Sequence, residues 1–107
     1  MPKIHIDAVV YKEDGFFVAH ALQLDLVVTG STETEAVNDL IEVCQAQILY
    51  AAENDNFDNI FRPAPPEVWQ RFFQAEAKAQ EHQRITNIPR WGSLMPGLSL
   101  SAVPAMA

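Results

Sequence analysis

The stretch Lys12-Glu13-Asp14-Gly15 stands between two largely apolar runs and commits the start of the chain to a β-hairpin whose turn has two or four residues. Asp and Gly both accept the positive φ angles of a tight hairpin turn, which few other residues do. Before the turn, Ile4, Ile6, Ala8 and Val10 alternate with His5, Asp7, Val9 and Tyr11, the period-two pattern of a strand with two unlike faces. After it, Phe16 to Leu22 returns as a second strand. A third run, Leu24 to Thr29, is β-branched and aliphatic and stops at Gly30. Three successive short strands are most simply joined as an antiparallel meander.

Thr32-Glu33-Thr34-Glu35 then fits a capping box at the start of a helix, in which the Thr32 hydroxyl accepts from the Glu35 amide and the Glu35 carboxylate accepts from the Thr32 amide. Val37, Leu40, Ile41, Cys44, Ile48 and Ala51 recur at three- and four-residue steps and predict one buried stripe. Glu35, Asn38, Asp39, Glu42 and Gln45 predict an outer, acidic side. Asn59 to Arg62 has room only for a short strand before Pro63-Ala64-Pro65-Pro66. The prolines launch a second helix carrying an apolar patch of Val68, Trp69, Phe72 and Phe73. Residues 88–107 hold one charge, three prolines and two glycines, a composition expected to exclude a long helix or a central strand. The division expected is an α+β domain over residues 1–84, including the second helix, and an extended apolar tail over 85–107. That tail is read either as a disordered end or as an arm on an edge strand or a neighbouring subunit.

The chain has 107 residues, 14 acids and 7 basic residues, for a net charge of −7. The imbalance is local: residues 1–58 hold eleven acids and two lysines, residues 59–107 three acids and five basic residues. Capture of a nucleic-acid backbone by the whole protein is therefore disfavoured, and a basic protein partner fits better. The lone Cys44 excludes an internal disulfide and a Cys-rich zinc site. With no secretory leader pattern and no apolar run of spanning length, a cytoplasmic protein is expected. A chain this short has a small core, so self-association into a homo-oligomer is expected to cover exposed apolar surface.

The hairpin places His5, Asp7 and His20 on one face, with Asp7 and His20 opposite or diagonal and able to pair. Such a pair could serve as a general base, or the three could ligate a metal, but no nucleophile motif or ligand spacing accompanies them. No catalytic, cofactor-binding or metal-binding residue is therefore assigned, and the pair is read as cross-strand structure. Cys44 is read as a small buried hydrophobe. Trp69, Phe72 and Phe73, with Arg62, Arg71, Lys78, Arg84 and Arg90 nearby, offer an alternative reading as a standalone RNA-binding surface. Aromatic residues at helical spacing more often form a core or subunit contact.

The run from Asp14 to Glu42, DGFFVAHALQLDLVVTGSTETEAVNDLIE, resembles the HicB family of antitoxins. The resemblance lies in a strand, an Asp-Gly turn, an aromatic-Val-Ala-His strand, a Leu-x-Leu segment, and Gly-Ser-Thr-x-x-Glu-Ala opening a helix. It covers about residues 3 to 52 and implies a partial ribonuclease-H-like fold, a small sheet with helices on one side, without a catalytic carboxylate set. It also implies a partner, a small basic HicA-like toxin that cuts mRNA. The segment after Arg62 shows one amphipathic helix and a Pro-rich stretch where many family members carry a DNA-binding domain, so direct DNA binding is not expected. The sequence thus predicts a small α+β fold with a three- or four-stranded, mainly antiparallel sheet and two helices, serving as a protein-binding module of a toxin-antitoxin type. Glu35, Asp39 and Glu42 are the expected partner contacts, and Trp69, Phe72 and Phe73 the expected core or oligomer contacts. An orphan oligomeric domain is the remaining alternative.

Overall fold

The computed structural model describes residues 4–78, 85–86 and 98–105. Strands β1 (Ile4–Glu13), β2 (Phe16–Ala21) and β3 (Leu26–Gly30) form the expected meander, followed by helix α1 (Glu33–Glu53), helix α2 (Pro66–Lys78), β4 (Ile85–Thr86) and β5 (Leu98–Pro104). The sheet order is β3-β2-β1-β5-β4, four substantial strands and the two-residue β4 at the far edge. β1–β2, β2–β3 and β4–β5 are antiparallel and β1–β5 is parallel. The molecule is α+β with a mainly antiparallel sheet, as expected, and the parallel β1–β5 pair makes that sheet mixed.

Glu13 pairs with Phe16, leaving Asp14 and Gly15 as a two-residue turn. Their φ angles of 52° and 83° are both positive, as a type I′ turn demands. The odd-numbered residues of β1 thereby share one face with His20 and Val18, and the even-numbered ones share the other with Ala19 and Ala21.

Against the even face lies α1. All six residues of the predicted stripe are buried there, packed with Ile6, Ala8 and Val10 of β1 and Leu100 and Ala102 of β5. Each large side chain so buried contributes about 1.5–3 kcal/mol. Thr32 caps α1 through the first half of the predicted capping box, with Oγ1 accepting the Glu35 amide at 3.0 Å. At the other end Asp55 takes φ 50°, the Asn56 amide donates to the Ala51 carbonyl and the Asp55 amide to that of Ala52. This is a Schellman closure with Asp in the left-handed position that Gly usually fills.

Against the odd face lies α2, where Phe72 and Ala75 are buried with Val9, Leu22 and Val103. The helices therefore sandwich the sheet, whereas the family resemblance implied helices on one side. Pro66 opens α2, where its missing N–H costs nothing. The Ala64 amide ties the preceding loop to the Leu22 carbonyl at 2.8 Å.

Three expectations are corrected. The apolar C-terminal segment does hold a central strand: β5 lies between β1 and β4, with Leu100, Ala102 and Val103 fully buried. Pro104, the last residue of β5, sits where a missing amide is tolerated, and Leu98 to Val103 contains no breaker. The short strand expected at Asn59–Arg62 is absent; Phe57–Asn59 forms a 3₁₀ turn and the next residues are irregular. The third strand begins at Leu26 rather than Leu24, because Leu22 to Asp25 make the turn. The expectations on residues 79–84 and 87–97, including the basic Arg84 and Arg90, lie outside the described residues. Among the described residues no helix is long and apolar enough to cross a membrane.

Candidate protein-binding surfaces

The odd face of the sheet has two halves. Val9, Tyr11 and Val103 lie under α2, whereas His5, Asp7, Ser99 and Ser101 make the opposite end polar. His5 Nε2 donates to Asp7 Oδ1 at 3.1 Å, which leaves Nδ1 to accept the Ser99 hydroxyl at 2.8 Å. Gln23 holds the carboxylate from its other side, its Nε2 donating to Asp7 Oδ2 at 3.0 Å while its Oε1 accepts the Asp7 amide at 2.8 Å. The order Ser–His–Asp is that of a hydrolytic relay, but the His5 side chain is 52% exposed. A His–carboxylate pair so wet interacts weakly compared with one withdrawn from water. The arrangement is a polar ladder that ties β5 to β1 through His5 and Ser99, and the β2–β3 turn to β1 through Gln23 and Asp7.

His20 does not pair with Asp7. The register sets it opposite Val9, and its Nε2 donates to Asp25 Oδ1 at 2.6 Å. His20 is buried, and Asp25 holds a φ of 51° in the β2–β3 turn. The sequence reading missed Asp25, Ser99 and Gln23. Only Asp25 carried a signal, a residue tolerant of positive φ ending a four-residue turn. Among the described residues no three His, Cys, Asp or Glu side chains are grouped to hold a metal ion.

Asp25 also lines an open groove of about 710 Å³ with Pro63, Pro65, Trp69 and Phe73. The loop bond from Ala64 to Leu22 sets this groove beside the β2–β3 turn. The three aromatic residues of α2 form one cluster, with ring centroids 5.6–6.5 Å apart. Phe72 points into the core, Trp69 is half-buried and Phe73 is 58% exposed. The groove can hold an apolar side chain beside a carboxylate. Arg71, a candidate for RNA contact, stacks over the Tyr11 ring at 4.1 Å.

The sequence-predicted partner contacts are brought together. Glu35, Asp39 and Glu42 project from the side of α1 away from its buried stripe, Glu35 and Glu42 exposed and Asp39 half-buried. Residues 4–58 carry eleven acids and the single base Lys12. Cys44, on the buried side, has its thiol pushed up to about 12 by burial, which keeps it protonated and unreactive. No family model, curated protein or solved structure matches the chain.

Proposed function

We propose that the protein is a non-catalytic, HicB-like binding module of the antitoxin type, whose acidic α1 surface engages a small basic protein. The resemblance makes a HicA-like mRNA interferase the kind of partner to expect. The observation that carries this reading is the clustering of Glu35, Asp39 and Glu42 on the outer side of α1, within a region that has one basic side chain among eleven acids. Such a field steers a cationic partner and resists a polyanion. The order of three strands and a helix over residues 4–53 is the order carried by the resemblance, which supports it as a fold signature. The non-catalytic part rests on the wetness of the His5–Asp7–Ser99 ladder. A cytoplasmic setting suits an interferase partner and a lone buried thiol.

Charge reversal tests the reading. A partner recovered with the wild-type chain should bind the triple variant Glu35→Lys, Asp39→Lys, Glu42→Lys at least about tenfold more weakly, mainly through slower association. Unchanged affinity would remove the acidic face from the interface.

A further inference from the structure

β3 is the terminal strand of the sheet, and among the described residues nothing pairs with its outer side. The register shows which groups it leaves open. The Leu22 amide donates to the Asp7 carbonyl, and Glu13 faces Phe16 across a two-residue turn, so the even-numbered residues of β2 exchange hydrogen bonds with β1. Phe17, Ala19 and Ala21 therefore bond to Gly30, Val28 and Leu26, and the backbone groups of Val27 and Thr29 turn outward. Both residues are exposed, Val27 at 51%. Within Leu26–Gly30 there is no charge, no proline and no bulge, the devices by which proteins usually blunt such an edge.

We infer that this edge takes an extended segment of a basic protein as an added strand, bonded to the backbone of Val27 and Thr29; the inference rests on the protein-binding reading above and gives it a site. Charge complementarity selects this occupant over a second copy of the chain. Asp25 precedes the strand and Glu33 and Glu35 follow it, so the uncharged stretch is bracketed by carboxylates. Joining two such edges would bring together two regions that each carry eleven acids and one base over residues 4–58. A segment with Lys or Arg at its ends and alternating apolar residues between them meets hydrogen bonds in the middle and carboxylates at both ends. Asp25, the residue before the strand, also lines the groove with Trp69 and Phe73.

The probe is a synthetic peptide that alternates Val and Thr and carries Lys at both ends, with a Glu-ended peptide as control. Amide exchange and chemical shifts are followed residue by residue on the full chain. The Lys-ended peptide should slow exchange at Val27 and Thr29, bind more weakly at high salt, and outcompete the Glu-ended control. Thr29→Pro removes an outward amide while sparing the β2 ladder, and should weaken binding by about tenfold with the fold retained. Perturbation confined to the acidic side of α1 would overturn the edge proposal while leaving the protein-binding reading intact. Absence of binding would overturn it, as would protection of Val27 and Thr29 that rises with protein concentration alone, the mark of a second copy on the edge.

Discussion

A methyl group at position 30 would collide with backbone. A Cβ built on Gly30 falls 2.7 Å from the Ala36 nitrogen and 3.0 Å from its Cα, because the first turn of α1 crosses the end of β3 at close range. Gly30→Ala should therefore lower stability by about 1–3 kcal/mol, read from the urea midpoint at unchanged slope. That crossing gives the Gly-Ser-Thr stretch a physical reason: glycine for the approach, then the threonine cap two residues later. Cys44 makes a second prediction at this scale. Its thiol ionises near 9.0 when solvated and near 12 in the fold. Above pH 9 the unfolded chain therefore binds fewer protons than the folded one. Stability is unaffected by this group below pH 9 and falls as pH rises from there toward 12, by at most about 1.4 kcal/mol per pH unit. Cys44→Ala should flatten that alkaline fall in paired unfolding curves, and the native thiol should resist a disulfide reagent until the chain is unfolded.

The elements differ in how much of them was written locally. The stripe of α1 and its threonine cap lie within one stretch of sequence, and the fold keeps both; Thr32→Ala should cost about 1 kcal/mol in thermal or denaturant unfolding. In α2 the aromatic cluster was legible as a patch, but which ring faces inward depended on the sheet. Phe72→Ala should cost about 3–5 kcal/mol, and Phe73→Ala within about 0.5 kcal/mol, a contrast that one pair of urea titrations decides. β5 was only partly legible. The alternation Leu98-Ser99-Leu100-Ser101 is a period-two signal, but prolines and glycines on either side mask it, and its partner β1 lies 94 residues away at the His5–Ser99 position, in a parallel pairing that no local signal announces. The mistaken Asp7–His20 pair has a related cause. The face was right, but the actual partner of His20 came from the turn, where Asp25 folds back over the end of β2.

At the scale of the molecule, a sheet held between two helices presents three unlike surfaces: an acidic outer side of α1, a polar ladder and aromatic groove on the α2 side, and the open β3 edge. The net charge of −7 is concentrated on the half that carries the first and the third. Field and open strand together fit a cationic protein ligand better than RNA or a small molecule. Affinity capture of the tagged full chain from its native host, with sizing and mass spectrometry of what co-purifies, tests that claim most directly. A small basic protein in fixed ratio, released by high salt and by reversal of Glu35, Asp39 and Glu42, is the expected result. Recovery of the chain alone as a defined oligomer, or with RNA that survives the same reversal, would contradict it.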